Sequence, residues 1–140
     1  MQTTNVPIAE FTTPDPVVAR ENMSVDDLRN LMEQHGIRHL PVLRDDKVVG
    51  IISDRDVRLV SGLSVAEKFQ VRADDLMSTK PLIVKASTPL VEVARLMAEQ
   101  KIGSAIVEDK DTGLLGIFTA TDALNALIDL LHKPLRLLSS

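Results

Sequence analysis

The sequence contains no cysteine, no tryptophan and no tyrosine, and its only aromatic side chains besides histidine are Phe11, Phe69 and Phe118. Absence of cysteine removes disulfides, thiolate catalysis and cysteine-based zinc sites together, which fits a reducing compartment. So few rings leave little to stack the bases of a single-stranded nucleic acid. The formal net charge of −4 and a pI near 5.3 argue against a surface that gathers nucleic acid by charge, so nucleic acid is the least favoured partner. No apolar run approaches the ~20 residues that a membrane span needs. Met1-Gln2-Thr3-Thr4-Asn5 lacks the basic and apolar regions of a secretory signal. The expectation is a cytoplasmic protein without a membrane partner.

Catalytic patterns are missing too. There is no glycine-rich phosphate loop of the Walker type, and no Ser-His-Asp arrangement follows from spacing. His35, His39 and His132 have no metal-ligand spacing to carboxylates. Asp45-Asp46 and Asp109-x-Asp111 lack the series that a calcium loop requires and suit hairpin turns instead. Met32 and Met97 fall on helical apolar stripes and are core fillers. Nothing here gives a basis for an enzyme, a bound metal or a required cofactor.

What the sequence does contain is a repeat. Gly50-Ile51-Ile52-Ser53-Asp54-Arg55-Asp56 and Gly116-Ile117-Phe118-Thr119-Ala120-Thr121-Asp122 share one pattern: Gly, two apolar residues, a hydroxyl, two variable residues and Asp. An offset of 65 sets Pro16 on Pro81, Leu31 on Leu96, Ile37 on Ile102 and Val42 on Val107. One inserted residue near Thr112 or Gly113 then sets Gly50 on Gly116 and Asp56 on Asp122. A unit of about 50 residues usually buries its apolar face only against a neighbour, and 140 residues with 44% apolar content suit one domain of two copies. We expect the first copy with its N-terminal lead-in over 1–63, a connector over 64–72, the second copy over 73–131 and a tail over 132–140.

Each copy reads strand, helix, strand, strand, helix. Ser24 can cap a helix carrying Val25, Leu28, Leu31 and Met32, with Gly36 to stop it. Ser87 or Thr88 plays that part in the second copy, with Pro89 in the first turn ahead of Leu90, Val93, Leu96 and Met97. The runs Leu40–Leu43 and Val48–Ile52, then Ala105–Val107 and Leu114–Phe118, read as hairpin strands. Val17–Ala19 and Leu82–Val84 supply the earlier strands. Ser64 caps a short helix reaching Phe69. Ala123–Leu131 keeps an apolar face with Leu124, Leu127, Ile128 and Leu131, and Pro134 should end that helix. Leu135, Leu137 and Leu138 leave further apolar surface, to fold back or to cover a partner chain.

In this order and in duplicate, the chain resembles a stand-alone, prokaryotic-like tandem pair of CBS motifs, the module named after cystathionine β-synthase. The resemblance runs from about Phe11 to Leu127. Its carriers are the lead-in segments Phe11-Thr12-Thr13-Pro14-Asp15-Pro16 and Leu76-Met77-Ser78-Thr79-Lys80-Pro81, the run Gly36-Ile37-Arg38-His39-Leu40-Pro41-Val42, and both heptads. It implies an α/β (α+β) fold in which two motifs pack with pseudo-twofold symmetry into one Bateman-type module. It also implies clefts for adenosyl ligands such as AMP, ADP, ATP or S-adenosylmethionine, pairing into a homodimer, and regulation of an unknown downstream protein. By resemblance, Asp56 and Asp122 hold the ribose hydroxyls, and Ser53 and Thr119 contact ribose or phosphate.

Chemistry agrees with these roles without requiring them. A carboxylate offers two acceptors to a vicinal diol, but Ser-x-x-Asp and Thr-x-x-Asp are also capping boxes for the helix that follows. Capping and binding are compatible. An interaction scaffold with empty clefts therefore stays open beside the nucleotide-binding module. Charge separates the copies: the first has Arg38, His39, Arg55 and Arg58, where the second has Gly103, Ser104, Thr121 and Leu124. A phosphate chain favours the first. Ile106 replaces Pro41 in the second copy, which alters its adenine-side wall. Arg20 and Lys85 hold equivalent positions in the leading strands, within reach of a phosphate or simply solvated.

Overall fold

The computed structural model describes residues 6–111 and 113–139, with side chains as far as residue 132. In chain order its elements are a 3-10 turn (Ile8–Phe11), β1 (Thr13–Pro14), β2 (Ala19–Arg20), α1 (Val25–His35), β3 (His39–Arg44), β4 (Lys47–Ser53), α2 (Asp54–Val60), α3 (Val65–Lys68), α4 (Ala73–Leu76), β5 (Ile83–Lys85), α5 (Leu90–Gln100), β6 (Ser104–Asp109), β7 (Gly113–Thr119) and α6 (Ala120–Ser139). They form an α/β fold of two compact units. One spans Pro16–Pro81, and the other joins the N-terminal segment through Asp15 to the chain from Leu82 onward.

In the first unit, β2 runs parallel to β3, with Ala19 opposite Val42, and β3 and β4 form an antiparallel hairpin. The turn is two residues, Asp45 and Asp46, both with positive φ (50° and 65°). That pair of angles matches the right-handed twist of the flanking strands, and Asp tolerates it better than most residues. Helix α1 starts at a capping box: Ser24 Oγ accepts from Asp27 N–H (3.1 Å) and the Asp27 carboxylate accepts from Ser24 N–H (3.4 Å). It stops at Gly36, whose φ of 61° is left-handed. Val25, Leu28 and Met32 bury one stripe of α1 against Leu40 and Val42 of β3 and Ile52 of β4. Each such side chain contributes about 1.5–3 kcal/mol on leaving water. The first strand is shorter than its apolar run, since β2 begins only at Ala19.

The second unit repeats the plan in a four-stranded sheet of order β1-β7-β6-β5. Its hairpin loop is one residue longer: Asp109 pairs with Gly113, where Arg44 pairs with Lys47. The inserted residue lies there, and Gly113 takes a φ of 79°. Leu90, Val93 and Met97 of α5 pack with Val84, Ala105, Val107 and Phe118. Neither Ser87 nor Thr88 caps α5. Pro89 is the N-cap, with no side-chain bond, and Leu90 N–H is taken by the Val6 carbonyl at 2.7 Å. The N-terminal segment supplies what a hydroxyl was expected to supply. Lys101 stands where Gly36 stands in the first copy and adopts the same left-handed turn, φ 56°.

Compact units and sequence repeats are offset by one lead-in segment. Ile8 is fully buried with Phe118 and Val93 of the second unit, whereas Ala73 is fully buried in the core of the first. The N-terminal lead-in, counted with the first copy in sequence, therefore folds with the second, and the segment from Ala73 to Pro81 folds with the first.

Helix α6 departs from expectation by continuing through Pro134 to Ser139. Proline's φ suits a helix, and its cost is one lost backbone bond and crowding of the preceding turn. The bond forgone is the one to the Leu130 carbonyl, four residues earlier. Ala123, Ala126 and Leu130 face the core, while Leu124, Leu127, Ile128 and Leu131 are 52–66% exposed. The side chains of Leu135, Leu137 and Leu138 lie outside the described residues. Among the described residues, no helix is long and apolar enough to cross a membrane.

Candidate functional site

Each heptad is the junction of a strand and a helix. In the first copy β4 ends at Ser53, still extended (φ −101°, ψ 163°), and α2 begins at the next residue. Asp56 Oδ2 accepts from Ser53 N–H (2.9 Å) and from Ser53 Oγ (3.1 Å), and Ser53 Oγ accepts from Asp56 N–H (3.3 Å). The second copy repeats this bond for bond. Asp122 Oδ2 accepts from Thr119 N–H (2.9 Å) and Thr119 Oγ1 (3.0 Å), and Thr119 Oγ1 accepts from Asp122 N–H (3.3 Å). Both heptads are complete capping boxes.

The cap fixes each carboxylate through Oδ2 alone. Four residues of backbone and the hydroxyl thereby hold Oδ1 in a set direction, as an acceptor on a half-buried side chain. Among the described residues, Oδ1 of Asp56 has no hydrogen-bond partner, whereas Oδ1 of Asp122 faces Thr13 Oγ1 at 3.4 Å. An oriented carboxylate oxygen can take a hydroxyl donor from a ligand without giving up the cap.

The heptad glycines serve backbone approach. A methyl group on Gly50 would sit 2.5 Å from Met77 Sδ and 2.7 Å from the Ser78 carbonyl, and one on Gly116 would collide with the Thr13 carbonyl. In both copies the chain's own lead-in segment comes close: Ile51 and Ser78 exchange backbone bonds of 3.0 and 2.9 Å in a single bridge, and β1 pairs with β7 through Thr13↔Ile117 and Pro14↔Gly116.

Of the basic cluster around Asp56, His39 lies nearest in register, opposite Ser53 across the hairpin. Burial lowers its pKa, Asp54 and Asp56 oppose that shift and Arg38 adds to it. His39 is thus a neutral polar group at neutral pH, not a fourth cation beside Arg38, Arg55 and Arg58. Pro41 is fully buried two residues further along β3, opposite Ile51, and Ile106, opposite Ile117, is likewise fully buried. Arg38 accepts from Asp54 N–H through its carbonyl (2.8 Å). With Arg29, Glu33, Asp54 and Arg58 it lines a cavity of ≈380 Å³ between α1 and α2. Arg58 lies 3.9 Å from the Asp54 carboxylate. Arg55 is exposed. Arg20, also exposed, stands opposite Leu43, about 13 Å along β3 from His39 at strand spacing. Ser53, Asp56 and His39 come together, Arg38 and Arg58 share the adjoining cavity, and Arg20 lies furthest away.

Sequence reasoning passed over Thr13. Its signal was available, since the same offset of 65 that aligns the copies sets Thr13 on Ser78 in the paired lead-in segments.

The CBS domain family model matches residues 8–61 and 73–129. The inosine-5′-monophosphate dehydrogenase of Korarchaeum cryptofilum is 33% identical over 112 residues, which is 80% of this chain and 22% of that protein. The chloroplastic CBS domain-containing protein CBSX2 of Arabidopsis thaliana is 27% identical over 152 residues, covering 88% of this chain and 64% of that protein. The chain thus spans well under two thirds of the first of these relatives and just under two thirds of the second. A crystal structure of CBSX2 in complex with AMP superposes with a TM-score of 0.77 at 31% identity, over 89% of this chain and 97% of that one. The CBS domain pair of protein MJ0100, in complex with 5′-methylthioadenosine and S-adenosyl-L-methionine, gives a TM-score of 0.76 at 22% identity, over 87% and 95%. That last likeness is one of fold.

Proposed function

The chain belongs to the CBS domain family, and from that premise we propose that it is a regulatory module, not an enzyme, that binds an adenosyl nucleotide at Asp56 and more weakly at Asp122. AMP leads the candidates, with ADP, ATP and S-adenosylmethionine behind it. The observation that carries this is the pair of identical caps, each fixing one carboxylate oxygen and presenting the other to a diol. The AMP complex of CBSX2, similar over nearly the whole chain, supports the ligand class.

In this account Ser53 and Thr119 set the carboxylates and meet ribose or phosphate. Arg38, Arg55 and Arg58 give the first site the positive charge that Gly103, Thr121 and Leu124 do not give the second. His39 and Pro41 form its adenine-side wall, and Arg20 reaches the phosphate end. The ligand acts by favouring one of two conformations, which a downstream protein in the cytoplasm reads. The exposed Leu124, Leu127, Ile128 and Leu131 on α6 support pairing with a second copy of the chain. Multi-angle light scattering of the protein against a variant with aspartates at Leu127 and Leu131 tests that pairing, and an unchanged dimer mass overturns it.

The caps are complete without ligand, which favours the alternative of a scaffold that only dimerises or docks a partner. Calorimetric titration with AMP, ATP and S-adenosylmethionine separates the two. Uptake sensitive to Asp56 supports the sensor, and no uptake at millimolar ligand supports the scaffold.

A further inference from the structure

The two sites match bond for bond except in one contact. The lead-in segments lie in equivalent places, Thr13 opposite Ile117 and Ser78 opposite Ile51, beside Gly116 and Gly50. Their hydroxyls are used differently. Ser78 Oγ accepts from Lys80 N–H at 3.4 Å, a turn closed within its own segment. Thr13 is followed by Pro14, which has no N–H, and by Asp15, whose φ of 48° takes the chain into the left-handed region. Among the described residues no backbone donor turns back onto Thr13. Its Oγ1 instead lies 3.4 Å from Asp122 Oδ1, the oxygen that the cap leaves over.

We infer that Thr13 is a specificity-determining residue: it occupies the ribose-binding acceptor of Asp122 from within the chain and so grades the two sites by affinity. The inference rests on the proposed assignment of Asp56 and Asp122 to the ribose diol. At Asp56 a ligand hydroxyl meets an unoccupied oxygen. At Asp122 the same hydroxyl competes with Thr13, which must rotate away. The contact is long and solvent-exposed, so its effect is modest, about two- to tenfold in affinity for one hydrogen bond in competition. Two otherwise identical caps then fill in order as ligand concentration rises, and the module responds over a wider range than one site covers. The difference comes from the lead-in segment, not from the heptad, and it adds to the difference in charge.

Calorimetry with AMP on the Asp56→Ala protein isolates the Asp122 site. Adding Thr13→Val, which keeps the shape and removes the hydroxyl, tightens AMP binding about two- to tenfold. Thr13→Ser keeps the donor and returns the parent affinity. Melting temperatures of the ligand-free variants, measured alongside, show that the fold is retained. If the Asp56→Ala protein and its Thr13→Val derivative bind AMP equally, if the valine weakens binding, or if neither binds, the inference is overturned. The functional proposal is judged separately, on the unsubstituted protein, and fails with this inference if that protein takes up no adenosyl ligand.

Discussion

Gly50→Ala should destabilise the protein although it adds a single methyl group. That methyl would stand 2.5 Å from Met77 Sδ and 2.7 Å from the Ser78 carbonyl oxygen. Met77 is flexible and can swing aside. The carbonyl cannot, because it accepts from Ile51 N–H at 3.0 Å while Ser78 N–H donates to the Ile51 carbonyl at 2.9 Å. Relief therefore means moving the segment at Ser78 and weakening both bonds. One or two backbone bonds at roughly 0.5–1.5 kcal/mol each, with the strain of a forced fit, give a loss of about 1–3 kcal/mol. For a chain of this size that lowers Tm by about 3–10 °C. Thermal denaturation followed by circular dichroism measures it. Gly62→Ala is the control: nothing lies within 4 Å of its added methyl and its φ lies outside the left-handed region, so Tm should hold. If Gly50→Ala melts with the parent protein, the segment at Met77 and Ser78 does not lie against Gly50, and the account of the heptad glycine is wrong.

Lys101→Gly removes a side chain from a left-handed helix stop and should stabilise by about 1 kcal/mol, seen as a higher midpoint in urea with an unchanged slope. His39 introduces a pH dependence. Burial depresses its folded pKa below the ordinary value of 6.5, so below that pH the unfolded chain takes up a proton that the folded chain resists. Stability should therefore be fully present above pH 6.5 and fall as the pH drops from there through the folded pKa. Comparing Tm between pH 5 and 7.5 in the parent and in His39→Gln measures this component, which the substitution should flatten.

Much of this molecule was legible because the repeat tests itself: a helix inferred from Ser24, Leu28, Met32 and Gly36 had to recur 65 residues on, and did. The hairpins followed from polar turns between apolar runs, and the inserted residue from the change of offset. The differences arise from contacts distant in sequence. The α5 N-cap went to Pro89 because Val6, far away along the chain, takes the N–H that a local hydroxyl was expected to serve. Lys101 adopts a glycine's conformation because the β6 strand must leave α5 as β3 leaves α1, and backbone geometry overrides local preference. Helix α6 continues past Pro134, since proline's fixed φ suits a helix and the loss is one backbone bond. At the site, the repeated heptads singled out Ser53, Asp56, Thr119 and Asp122, and the structure joins each hydroxyl to its carboxylate in a cap. The heptads alone could not show that Thr13, from the distant N-terminal lead-in, reaches the remaining carboxylate oxygen of Asp122.

The central claim is that Asp56 holds the ribose of an adenosyl nucleotide. Isothermal titration of AMP into the parent protein and into Asp56→Ala and Asp122→Ala tests it most directly. The account predicts binding to the parent, loss of about tenfold or more at the stronger site in Asp56→Ala, since a hydrogen bond to a charged group contributes roughly 1.5–3 kcal/mol, and retention of that site in Asp122→Ala. Binding that survives Asp56→Ala undiminished, or a parent protein that takes up no adenosyl ligand at millimolar concentration, would contradict it.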